Sequence, residues 1–289
     1  MIAYPPSYKT GYARNASEAL PKNRNLFDGL VGAWVPRLGP TGRTLQDVSG
    51  NKNHGTLTNM NPASDWVEGD DGWGLDFDGF NDYVRVAGNS TLGLADTDFT
   101  ISLWIKWSAV AENDNKGVFS KYNSTTGQRG WMVATANTPG VSQGKYSFLY
   151  QSSAGSFNSQ QQLHTTSAYD DDITHCLSFI FIRGQTVSIY VDGVLDNSKA
   201  SSVPSSVANN SSDVLLASAN NGSQNTAIAS YAANIHNRAL SPTESAQLHA
   251  LKPGGMFERK RRKIFISPIV TPTASPWFFQ NQILRRGRK

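Results

Sequence analysis

The sequence predicts an all-β fold built as two packed sheets. Three observations point there. About ten short apolar runs recur from Gly29 onward, clusters of Gly, Asn, Asp and Ser bound them, and one run alternates with a strict period of two. Ten strands are more than one open, twisted sheet comfortably holds, so a sandwich is expected.

Taken in order, residues 1–28 show neither a helical nor an alternating period and carry Pro5-Pro6 with Tyr4, Tyr8 and Tyr12, which predicts an extended arm. The first nine residues hold no apolar stretch of the kind an export signal needs, and none is expected. Strands are predicted over 30–35, 83–87, 99–107, 117–121, 131–135, 146–151, 177–183, 187–191, 214–218 and 228–234. The clearest is 99–107, where Phe99, Ile101, Leu103, Ile105 and Trp107 fall on one face and Thr100, Ser102 and Lys106 on the other. That pattern predicts a half-buried antiparallel strand. One helix is marked: Ser241 stands at N-cap, Pro242 at the first position and Glu244 at the third, so hydroxyl and carboxylate can satisfy orphan amides reciprocally. It should run to about Leu251, where Pro253-Gly254-Gly255 ends it and opens a tail over 252–289. The domain proper is therefore expected over 29–251. Nothing beyond Leu251 offers a strand that the sandwich lacks, so a chain ending there is expected to fold.

Charged residues are only 17% of the 289, which disfavours long surface helices and coiled coils. The formal charge of +4 hides a split: the tail holds ten Lys or Arg and one acid, whereas residues 1–251 hold sixteen basic and twenty-one acidic residues. The body is mildly acidic and the tail strongly basic. No apolar run reaches the roughly 20 residues of a membrane helix, and no membrane partner is expected. The single cysteine, Cys176, excludes an intramolecular disulfide; it sits in an apolar strand pattern and reads as a buried structural thiol. The five histidines lack metal-ligand spacing.

Four segments concentrate polar chemistry. Residues 47–55 supply Asp47, Asn51 and Asn53; they read either as oxygen ligands for calcium, which takes six to eight, or as a tight turn in which Asp47 and Asn51 bond their own backbone. Residues 76–82 read as a hairpin turn, with Asp76 and Asp78 on one face capping backbone amides or reaching one cation. Two loops offer the amide, carboxylate and aromatic groups that match sugar hydroxyls: Asn220, Asn221 and Gln224 in one, Tyr169 and Asp171 in the other. Both also read as ordinary solvated turns. In the tail, Arg259, Lys260, Arg261 and Arg262 precede Trp277, Phe278 and Phe279. Such large apolar groups argue against a merely solubilising tail, and the spacing between the basic run and the aromatics argues against a stacking groove for nucleic acid. Docking on a protein is expected, aromatics supplying affinity and charges orientation.

The stretches GLVGAW (29–34), TLQDVSGNKNHGTLTN (44–59), GLDFDGFNDYV (74–84), FTISLWIKW (99–107), VSIYVDG (187–193) and NRALSPTESAQL (237–248) together resemble the laminin-G-like branch of the concanavalin A-like lectin/glucanase superfamily. The resemblance covers roughly 29–251 and implies a two-sheet jelly-roll sandwich with a short C-terminal helix. It implies one structural calcium as cofactor at a loop like 47–55, which makes Asp47 and Asn53 candidate ligands beside the Asp78 already singled out in the 76–82 turn, and a lectin-like domain able to meet a host or environmental glycan. Glucanases of this superfamily carry Glu-x-Asp-x-Glu on one strand. The five glutamates here, Glu18, Glu68, Glu112, Glu244 and Glu258, form no such spacing, so the chain is expected not to be an enzyme. The arm leading into 28–42 and the basic tail resemble forms carried by tailed bacteriophages. That implies a virion protein, a capsid decoration or tail component, held through its arms to other virion proteins as a homo-oligomer.

Overall fold

The structure, a computed structural model, describes residues 11–69, 72–108, 116–123, 128–136, 142–152, 161–208 and 211–259. Sixteen strands and one α-helix occur among them: β1 (Leu30–Trp34), β2 (Thr44–Leu45), β3 (Gly55–Thr58), β4 (Trp66–Gly69), β5 (Gly72–Asp78), β6 (Tyr83–Val86), β7 (Phe99–Ser108), β8 (Lys116–Asn123), β9 (Gln128–Ala136), β10 (Lys145–Tyr150), β11 (Gln162–His164), β12 (Asp171–Ile182), β13 (Thr186–Val191), β14 (Val194–Lys199), β15 (Val214–Leu216), β16 (Ala227–His236) and α1 (Pro242–Leu251). Sheet I runs β14-β13-β12-β7-β16-β5-β4, with β1 also paired to β16; sheet II runs β11-β10-β9-β8-β15-β6-β3-β2. All pairings are antiparallel. The architecture is the expected two-sheet jelly-roll sandwich.

The alternation along β7 sets the main core. Phe99, Ile101, Leu103, Ile105 and Trp107 are buried between the sheets. Phe99 stacks on Phe181 of the same sheet at 5.0 Å and meets Phe148 of sheet II edge-on at 6.2 Å, while Trp107 lies 5.3 Å from Tyr146. Ring pairs of this kind add to the burial of their large apolar area.

The opposite face of β7 is not solvated, which corrects the half-buried expectation. Thr100, Ser102 and Trp104 are all buried. Thr100 Oγ1 donates to the Arg238 carbonyl at 3.0 Å and accepts from the Leu240 amide at 2.9 Å, and Ser102 Oγ bonds Ser178 Oγ at 3.1 Å. Polar side chains tolerate burial when their hydrogen bonds are made within the protein. A third layer lies over this face: Leu26, Leu240, Leu248, Met256 and Phe257 join Trp104, Cys176, Ile180 and Ala232 in a second buried cluster.

That layer also changes the reading of the arms. Over 21–27 the first arm is a 3-10 helix rather than an extended strand, with Leu26 buried and Phe27 edge-on to Phe257 at 5.6 Å. The Ala13 amide donates to the Phe257 carbonyl at 2.7 Å, the Leu20 amide to the Glu258 carbonyl at 3.1 Å, and Ala19 bridges Arg259. The folded body thus extends on both sides of 29–251. Helix α1 is capped as the sequence predicts, by the reciprocal Ser241 and Glu244 bonds.

The 76–82 segment is a turn but not a hairpin. β5 pairs within sheet I and β6 within sheet II, so the turn carries the chain from one sheet to the other. Gly79 has φ +76°, and a Cβ there would lie 2.8 Å from the Ala227 amide nitrogen, so close approach to β16 requires glycine.

Candidate functional site

The oxygen-rich 47–55 loop is spent on the fold. Asp47 Oδ1 accepts from the amides of Ala33 and Ser49, both at 2.9 Å; Oδ2 accepts from Ser49 Oγ at 2.9 Å and from the Asn53 amide at 2.8 Å. Asn53 Nδ2 donates to the Val31 carbonyl at 3.0 Å, and its Oδ1 accepts from Asn89 Nδ2 at 2.7 Å. Asp78 belongs to the 79–82 turn instead, where its Oδ1 accepts from the amides of Phe80 and Asn81 at 2.8 and 3.3 Å. Asp47 and Asn53 are thus joined to each other by a hydrogen bond, whereas the bonds of Asp78 are made within its own turn. The described residues contain no group of three or more His, Cys, Asp or Glu arranged to hold a metal.

The two candidate sugar loops separate. Tyr169 is a clasp rather than an open platform: its hydroxyl donates to Asp196 Oδ1 at 2.9 Å and its ring packs edge-on against His175 at 4.9 Å. Burial first, and then the bond to Asp196, push its phenol up to about 12. Asp171 is exposed, with its carboxylate 3.3 Å from His175 Nε2. The other loop joins β15 to β16. Asn220 and Asn221 take left-handed φ of 50° and 59°, which asparagine tolerates, while the Gln224 carbonyl accepts from the amides of Gly117 and Ala219 at 3.2 Å.

Asn221 reaches a depression of about 220 Å³ on the outward face of sheet II, with Arg85, Tyr122, Asn123 and Asp213. The alternation of β6 places Arg85 there, because Val84 and Val86 point into the core. Arg85 Nε is hydrogen-bonded to Asp213 Oδ2, and Asp213 Oδ1 accepts from the Gly88 amide at 2.9 Å. Lys121, beneath, donates its Nζ to the Ser212 carbonyl at 2.6 Å; burial holds its ammonium below the usual lysine range. Ser211 lines both this depression and a wider groove of about 590 Å³ running past Asn89, Ser90 and Asp96. Sequence reasoning found Asn221 but missed Arg85 and Asp213, which lie 128 positions apart. Only the outward register of Arg85 in β6 was available as a signal.

Of the expected docking residues, Arg259 belongs to the folded body, with Nη2 3.6 Å from Glu18 Oε2. Lys260, Arg261, Arg262, Trp277, Phe278 and Phe279 lie outside the described residues. Cys176 is buried, and desolvation pushes its thiol up, consistent with a structural role. Glu244 is held by the fold: despite partial burial, which opposes its charge, Arg238 at 2.7 and 2.9 Å and the Ser241 amide bring its carboxyl down to about 2.

A family model described as the concanavalin A-like lectin/glucanases superfamily matches residues 77–245. Among solved structures, the chain is similar to the binding domain of Paraclostridial Mosquitocidal Protein 1, at 18% identity and TM-score 0.60 over 78% of this chain and 52% of that one. It is similar to the receptor binding domain of botulinum neurotoxin mosaic serotype C/D, at 14% identity and TM-score 0.58 over 78% and 51%. It also resembles Trypanosoma rangeli sialidase in complex with sialic acid, at 14% identity and TM-score 0.55 over 77% and 33%. The chain spans about half the length of the toxin domains and a third of the sialidase, and at these identities the likeness shows the fold alone. No curated protein matches the chain.

Proposed function

Because the chain belongs to the concanavalin A-like lectin/glucanase superfamily, we propose that it is a non-enzymatic component of a tailed-phage particle that displays this lectin-type domain. The observation that carries the reading is the change in chemistry at Arg259. Up to that residue the backbone is tied into the body by the bridge to Ala19. Beyond it the sequence runs through Lys260-Arg261-Arg262-Lys263 to Trp277-Phe278-Phe279. A basic, aromatic stretch joined to an acidic body has the composition of an anchor: aromatics buried in a partner give affinity and the charges orient it. The resemblance to phage-borne forms supplies the partner class, a capsid or tail protein of the virion, with the chain present there as a homo-oligomer.

The test is attachment to particles for Trp277→Ala and for an Arg261→Ala/Arg262→Ala double variant, at low and high salt. Protein docking predicts that the Trp277 variant loses about 2 kcal/mol or more of attachment, with a smaller, salt-sensitive loss in the double variant. A Trp277 variant that attaches like wild type, beside a double variant that detaches, replaces docking with an electrostatic contact. A second reading, a free carbohydrate-binding adhesin, is favoured by one feature, the polar depression around Asn221. The solved neighbours that are themselves binding domains accord with it.

A further inference from the structure

We infer that the depression bounded by Arg85, Tyr122, Asn123, Asp213 and Asn221 binds a carboxylate-bearing sugar of an acidic glycan; this rests on the lectin-type reading above. Residues 1–251 are net acidic by five. Yet the depression is lined by one cation, Arg85, beside the single carboxylate of Asp213, while the buried Lys121 gives its Nζ to the carbonyl of the lining residue Ser212. Within an acidic body the lining thus offers one guanidinium against one anion, a match for a single further carboxylate and far from what a polyphosphate backbone demands.

Geometry sharpens the class. Arg85 is tethered through Nε alone, its side chain is 55% exposed, and among the described residues its two terminal nitrogens have no protein partner. Asp213 is itself held by the Gly88 amide, so the guanidinium is fixed in place rather than swinging freely. A planar fork held in advance matches the two coplanar oxygens of a carboxylate and loses little entropy on binding. The remaining lining suits the rest of a sugar. Tyr122 adds an aromatic side chain to the lining, and the side-chain amides of Asn123 and Asn221 carry both donor and acceptor groups, as hydroxyls require. The depression has room for one sugar unit, and the wider groove that shares Ser211 lies where the next units of a chain would run.

The test uses the full chain on an array carrying uronate-containing, sialylated, sulfated and neutral glycans, followed by titration of the best binder and its carboxyl-reduced form. The expected result is binding confined to carboxylate-bearing glycans and at least a tenfold loss on carboxyl reduction. Arg85→Gln is expected to lose at least tenfold as well, with an unchanged melting temperature, and Arg85→Lys, which keeps charge but lacks the fork, to lose most of the affinity. Asn221→Gly, which keeps the left-handed φ of this exposed turn while removing the amide, should lose several-fold. Preference for neutral or sulfated glycans, equal binding of the reduced form, or wild-type binding by Arg85→Gln overturns the assignment while leaving the lectin-type reading standing. No binding to any glycan overturns both sugar readings, and the particle role is then decided separately by the Trp277 variant.

Discussion

His175 Nδ1 lies 2.8 Å from Asp192 Oδ2, while its Nε2 faces Asp171 at 3.3 Å, so one buried imidazole joins the start of β12 to the β13–β14 turn. The same Asp192 also accepts from the Cys176 amide at 2.9 Å and lies 3.6 Å from His249 Nδ1 on α1. The edge of sheet I and the helix that covers it therefore meet at a single carboxylate. The Asp192 bond is the largest cause raising the His175 pKa above 6.5; burial opposes it, and the Asp192 and Asp171 charges add to the rise. Burial works against the Asp192 charge, yet the His175 and Cys176 bonds hold that carboxyl below its usual range.

This pair makes stability depend on pH with a defined sign. A histidine whose folded pKa is raised stabilises fully below its unfolded value near 6.5 and loses that contribution as pH rises through the folded value. His175→Gln should therefore cost more stability at pH 5.5 than at pH 8.5 in chemical denaturation. An equal loss at both values would show that the imidazolium pairs contribute nothing. His236 works the other way: burial lowers it to about 4, with Nε2 donating to the Leu26 carbonyl at 2.9 Å, so the native state loses stability as pH falls below about 6.5.

Phe257 lies beyond the expected domain end at Leu251 and yet inside the folded body. It is fully buried beside Leu26, Met256 and Trp104, so Phe257→Ala should cost about 3–5 kcal/mol. A chain ending at Arg259 should melt as the full chain does, whereas one ending at Leu251 should melt lower or lose cooperativity, contrary to what the sequence alone predicts. Equal melting of the two truncations would mean that the third layer adds little.

Asp47 accepts four hydrogen bonds, three of them from backbone amides, and ties β1 to the 47–55 loop. Removing a carboxylate side chain that accepts four hydrogen bonds should cost about 3 kcal/mol in Asp47→Ala. Since its oxygens are already taken, the melt of the wild-type chain should be the same in chelator and in excess calcium. A higher melting temperature with calcium, lost in Asp47→Ala, would restore the ion to this loop.

What the sequence disclosed, and what it hid, follows from the range of each interaction. The inward face of β7 was legible because a period of two is written within nine residues, and the Ser241 and Glu244 cap because it spans four. The burial of Thr100 and Ser102 was not, since polar side chains read as solvated until their partners, the Arg238 carbonyl and Ser178, are brought from 138 and 76 positions away. The 3-10 segment over 21–27 has no amphipathic period; it is held by Phe257 and by bonds from Asn23 to the Gly255 and Met256 carbonyls. Turn chemistry at Asp78 was legible, but not that β5 and β6 part into different sheets. The candidate site was half visible: Asn221 stands in a turn signal, while Arg85 and Asp213 meet only through the β6–β15 pairing.

Attachment to the particle is expected to lie in the basic, aromatic stretch that follows Arg259, with the lectin-type body folding without it. The most direct measurement is the amount of protein recovered on purified particles for the full chain and for a chain ending at Arg259, with both first shown to melt alike. The shorter chain is expected to fold and to be absent from particles, while the full chain is incorporated. Equal incorporation of the two would contradict it and move the attachment site onto the folded body.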